Sequence, residues 1–153
     1  MTDQCVYYPP TPAVPYRAPR LVPVPNNGWT AGANSHATHA GDAELVLKMG
    51  QVIGVVVGLT NDRATPNNPA RISHGLSFAS SPAGGAEFSI VEAGIVKSSA
   101  RPYTPNVTVF RIKRIGASVT YWQDGVLLAS SSVPLAGTIS AGAALYSASD
   151  GVL

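Results

Sequence analysis

The sequence predicts an all-β fold, an antiparallel sandwich or barrel, and three observations carry that prediction. No window of twelve or more residues repeats apolar positions at helical spacing without Gly or Pro interrupting it. Short runs rich in Val, Ile, Phe and Tyr recur instead, at intervals of roughly 8–12 residues. Turn signals built from Gly, Pro, Asn and Asp separate those runs.

The chain divides at Asn26-Asn27-Gly28 into an arm, residues 1–27, and a β-sandwich domain, residues 28–153. The arm contains "YYPPTPAVPYRAPRLVPVP", and seven of the thirteen prolines fall between Pro9 and Pro25. Each proline fixes φ near −65°, removes an amide donor and pushes its predecessor toward extended geometry. Residues 9–25 are therefore expected to run as polyproline II. Tyr7, Tyr8, Val14, Tyr16, Leu21, Val22 and Val24 make the arm unusually apolar for a solvated tether, the alternative being a disordered tail. They are its candidate assembly contacts, on its own surface or a neighbour's.

Beyond Gly28 each run has its own signature. "AELVLKM" (43–49) puts Leu45 and Leu47 on one face and Val46 on the other. "VIGVVVGL" (52–59) is apolar on both faces, as a central strand is. "TNDRATPNNPAR" (60–71) reads as a long surface loop. "ISHGLSFA" (72–79) and "AEFSIVEAG" (86–94) flank an "SSPAGG" turn. "NVTVFRIKRI" (106–115) sets Phe110 and Ile112 against Arg111 and Lys113. "ASVTYWQDGVLLASS" (117–131) is a hairpin whose Asp124-Gly125 supplies the positive φ angles of a tight turn. "TISAGAALYSA" (138–148) is the last strand.

Composition narrows the function. Charged residues are 12% of the chain and the net charge is +2, which argues against a nucleic-acid partner bound through many phosphate contacts. Cys5 is the single cysteine, so the fold needs no internal disulfide. The start "MTDQC" lacks the basic and apolar regions of a signal peptide, and no apolar run of about 18 residues predicts a membrane span.

No catalytic set emerges. His36 and His39 lie three apart in a stretch that is not helical, so no metal site is expected there. No serine sits in a Gly-x-Ser-x-Gly elbow, and no two acids read as a glycosidase pair. Asn61, Asp62, Asn67 and Asn68 bring one formal charge, interrupted by Arg63, and read as turn formers rather than a calcium loop. Arg111, Lys113 and Arg114 form the one basic cluster, with Arg111 and Lys113 outward. Packing is the expected role of Trp29, Tyr121 and Trp122, with sugar stacking as the alternative; at most one of Tyr121 and Trp122 faces the core.

Three stretches carry a family resemblance: the Gly28-Trp29 opening with Ala-Gly-Ala and Gly41-Asp42, "VVVGLTND", and "VFRIKRIGASVTYWQDGVLLASSS". Residues 28–153 resemble the concanavalin-A-like (laminin-G-like) jelly-roll domains of tailed-phage and prophage tail or baseplate structural proteins. The resemblance implies an antiparallel jelly-roll sandwich, and the residues themselves lead to no expected cofactor or metal. It implies a non-enzymatic virion protein, made in the host cytoplasm and placed at the tail tip, baseplate or fibre. Its partners would be other tail proteins and copies of itself. The alternative is a lectin-like module for host-surface glycans, with Trp29, Trp122, Arg111 and Lys113 as glycan or partner contacts.

Overall fold

The computed structural model describes residues 28–29, 31–64 and 66–146. The arm and its seven candidate assembly contacts lie outside the described residues.

Eleven strands follow one another in this part of the chain: β1 (Ala31–Asn34), β2 (Ala43–Leu47), β3 (Gly54–Thr60), β4 (His74–Ser80), β5 (Ala86–Glu92), β6 (Ile95–Val96), β7 (Arg101–Pro102), β8 (Phe110–Ile115), β9 (Ser118–Gln123), β10 (Val126–Ser130) and β11 (Ser140–Leu145). They form two antiparallel sheets. The large sheet runs β1-β11-β3-β4-β5-β6, with β7 also pairing with β5, and the small sheet runs β10-β9-β8-β2. The molecule is a jelly-roll sandwich, and one 3-10 turn, Pro69–Arg71, is the only helical element among the described residues.

The central-strand expectation holds: β3 lies between β11 and β4, and Val55, Val56 and Val57 are all buried. Val55, Val57 and Leu59 face the small sheet with Leu76, Phe78, Phe88 and Ile90. Leu47, Phe110, Ile112, Val119 and Tyr121 meet them from the other side. Phe78, Phe88, Tyr103 and Phe110 pack edge-on, with the Phe88 and Phe110 centroids 4.7 Å apart. Tyr103 donates to the Gly50 carbonyl at 2.6 Å, and burial pushes its phenol up to about 12.

The 60–71 segment is more than the surface loop its composition predicts. It lies over the outer face of the large sheet, where the glycines Gly142, Gly58 and Gly75 form one cross-strand row. A Cβ on Gly75 would come 2.8 Å from Ile72 Cγ2, and one on Gly142 2.9 Å from Ile72 Cδ1. The missing side chains thus leave a trough for Ile72, which forms a second apolar cluster with Val56, Val91 and Trp29. Several polar residues of the segment serve its own turns, while Arg63 reaches out to the Ser35 carbonyl at 3.0 Å. Asp62 accepts from Ala64 N and pairs with Arg71 at 2.5 Å, and Asn68 caps the 3-10 turn through Ala70 N.

The Asp124-Gly125 hairpin forms as its residues require, with φ of 48° and 81°. Asp124 Oδ1 also accepts from Val109 N at 2.8 Å. Beyond the turn, β10 carries a bulge between Leu127 and Ala129. The extra residue lets both Leu128 and Ala129 pack toward the core, which a regular strand would forbid.

Candidate functional site

The predicted contact residues fall on opposite sides of the sandwich. Trp29 packs into the second apolar cluster over the large sheet, edge-on to Tyr146 at 5.8 Å. Arg111, Lys113 and Trp122 come together on the outer face of the small sheet, because strand alternation turns Phe110, Ile112 and Tyr121 inward.

Two cross-strand rows make up that outer face. One is Val46–Arg111–Trp122–Leu127, and the other is Glu44–Lys113–Thr120–Ser130. Val46 and Leu127 are each 48% exposed, and Trp122 is half-buried between its neighbours. Glu44 Oε1 accepts from Arg111 Nη1 at 3.1 Å and from Lys113 Nζ at 3.3 Å. The Arg111 hydrogen bond, seconded by Lys113, holds the Glu44 carboxyl below its ordinary range against the opposing effect of partial desolvation. Lys113 Nζ also lies 5.2 Å from the centre of the Trp122 ring, and Trp122 Nε1 donates to Thr120 Oγ1 at 2.9 Å. The result is an indole fixed on the sheet between Arg111 and Leu127, with the Lys113 ammonium over its ring and Glu44 paired to both cations.

Arg114 departs from the basic cluster predicted for it. It shares the inward phase of Phe110 and Ile112 and is 1% exposed. Its guanidinium donates to the carbonyls of Gly137 at 2.7 Å, His39 at 3.4 Å and Gly41. It is a structural clamp between two connections, not a surface charge.

A second polar group lies between the sheets, and sequence reasoning passed over it. Glu92 ends β5 in the inward phase of Phe88 and Ile90 and is 5% exposed. Tyr121, on the facing sheet, donates its hydroxyl to Glu92 Oε1 at 3.0 Å. Burial, with the neighbouring Glu92 adding to it, raises the Tyr121 phenol far above its ordinary value. His74 is next to Glu92 in the β4–β5 register, one step beyond the Gly75–Val91 pair. The signal was present in the sequence as a carboxylate on the apolar phase of a strand.

The His74 ring does not form a nucleophile–base pair. Its Nε2 lies 2.9 Å from the Val133 carbonyl, which fixes the proton there, and 3.2 Å from Ser131 Oγ. Ser131 Oγ is engaged with Val133 N and O in its own turn. Nδ1 has no hydrogen-bond partner, so no acid orients the ring. Among the described residues no three His, Cys, Asp or Glu side chains converge as metal ligands.

No protein-family model matches the chain, and no curated protein matches it. Similar solved structures include the carbohydrate binding module CBM66 from Bacillus subtilis, at 10% identity and TM-score 0.47 over 74% of this chain and 72% of that one. Toad ovary galectin in complex with thio-digalactose gives 13% identity and TM-score 0.43 over 80% and 96%. Bacillus licheniformis β-glucanase gives 14% identity and TM-score 0.41 over 77% and 59%.

Proposed function

We propose that the protein is a non-enzymatic carbohydrate-binding module that works through the outer face of its small sheet. The observation that carries this reading is the Trp122 ring, set outward between Arg111 and Leu127 on a rigid four-stranded sheet. The C–H face of a sugar ring stacks on the indole and on the neighbouring Leu127 side chain. Its hydroxyls donate to Glu44 and accept from Arg111 and Lys113. Lys113 already has Glu44 as a second partner at 3.3 Å, so its ammonium moves off the indole without losing a charge partner. Strand positions hold these groups more firmly than loops do.

A glycan array probed with the full chain tests this. Trp122→Ala is expected to lower affinity for the retained glycans at least tenfold, about 1.4 kcal/mol, with the fold intact. An array without binding, or binding indifferent to that substitution, would overturn the reading.

A role in a phage particle is a separate proposal. It rests on the family resemblance and on the apolar arm. Deleting residues 1–25 is expected to leave a folded sandwich that no longer joins particles. Normal incorporation of the truncated chain, followed by immunoblot of purified particles, would rule out anchoring by the arm.

A further inference from the structure

The sandwich is open along one side, where the β6 and β7 edge of the large sheet faces the β10 edge of the small one. A cleft of about 390 Å³ fills that opening. Its size falls within the range of small-ligand sites, roughly 300–1,000 Å³. Glu92 and Tyr121 lie at its inner end, and Ile90, Leu128 and Ala129 supply apolar wall. Leu128 and Ala129 both reach it because of the β10 bulge. Serines line much of the remainder, from Ser98-Ser99 on one side and Ser130 to Ser132 on the other. Lys97 and Arg101 stand at the exposed rim.

Among the described residues neither Lys97 nor Arg101 forms an ion pair, and neither does Glu92. Removing a carboxylate from water is costly unless its lone pairs find donors. Tyr121 satisfies one oxygen of Glu92. Glu92 itself lines the cleft. A matching ligand carries hydroxyl donors at its inner end, a carbon face for Ile90 and Leu128, and a negative charge at the rim.

From this we infer that the cleft is a binding site for a sugar acid, a polyhydroxylated ring bearing a carboxylate. Its ring hydroxyls donate to Glu92 and exchange hydrogen bonds with the serines. Its carboxylate sits between Lys97 and Arg101, the charge-assisted contact a guanidinium makes best. The site is distinct from the Trp122 face, which lies on the outer surface of the small sheet, and it stands whether or not that face binds glycans.

Calorimetric titration of the full chain with glucuronate, glucose and acetate tests the assignment, with a glucuronate-terminated oligosaccharide as a further arm. Glucuronate is expected to bind at least tenfold more tightly than either glucose or acetate. Binding should fall at least tenfold in Glu92→Gln and in the rim variant Lys97→Glu/Arg101→Glu, and persist in Trp122→Ala. The rim residues are exposed, so their variant keeps the test valid if Glu92→Gln fails to fold. A free sugar acid as natural ligand predicts equal affinity for monomer and oligosaccharide, and a chain-end uronate predicts tighter binding of the oligosaccharide. Glucuronate binding that is undetectable, no stronger than glucose, or unchanged in the rim variant would overturn the proposal.

Discussion

Arg114→Ala is expected to destabilise the fold by about 3–5 kcal/mol, from the loss of charge-assisted hydrogen bonds and the cavity left by the side chain. Three carbonyls, those of Gly137, His39 and Gly41, receive the guanidinium. The Gly137 and Gly41 carbonyls would lose this donor, while that of His39 keeps Ile139 N at 2.9 Å, in a site where Arg114 itself is 1% exposed. A buried unsatisfied acceptor costs about 1–3 kcal/mol, and the truncated side chain adds a cavity. The three acceptors belong to the connection from β1 to β2 and the connection from β10 to β11, which meet again at the His39–Ile139 bridge. Losing the clamp therefore loosens two crossings at once. Urea denaturation of the two proteins measures the effect, and a drop below about 1 kcal/mol would show that the carbonyls find water instead. Arg111→Ala is the control. Its ion pair with Glu44 lies on the surface, and surface pairs contribute about 0–1 kcal/mol.

The contrast between these two arginines shows what a sequence discloses and what it withholds. Alternation along "FRIKRI" assigns Arg111 and Lys113 to the solvent and puts Arg114 in phase with Phe110 and Ile112. The phase was legible. The reason a cation tolerates that phase was not, because its acceptors lie 23, 73 and 75 residues away. Glu92 repeats the lesson: it follows Phe88 and Ile90 in phase, yet its partner Tyr121 sits 29 residues on, in the other sheet. Local signals served well where the physics is local, as at the Asp124-Gly125 turn and the β-branched run of β3. They failed for β1, whose "AGAN" has little strand propensity and is extended because it pairs with β11. The cleft itself could not be read, since it arises where the edges of two sheets fail to meet.

The outer face of the large sheet yields the other large effect. Gly58 is in the middle of β3, where a glycine ordinarily weakens a strand. Its backbone needs no positive φ, so its freedom of rotation is not the reason for it. The reason is closeness: a Cβ there would overlap the His74 carbonyl oxygen and come 2.5 Å from Gly75 Cα. Those are backbone atoms of β4 and cannot rotate away as a side chain would. Gly58→Ala is therefore expected to pry β3 from β4 in the centre of the sheet, where they pair over six residues. It would also lift Ile72 out of its trough. Overpacking in a well-filled interior costs about 1–3 kcal/mol, and backbone overlap puts this site at or above the top of that range. Gly41→Ala is the comparison, because a Cβ there meets nothing within 4 Å and its φ is not positive. That change should be neutral, or stabilising by up to about 1 kcal/mol through the unfolded chain. Thermal unfolding of both variants decides the matter. If Gly58→Ala melts with the parent protein, the two strands have room to part, and steric closeness is not what holds glycine at this position.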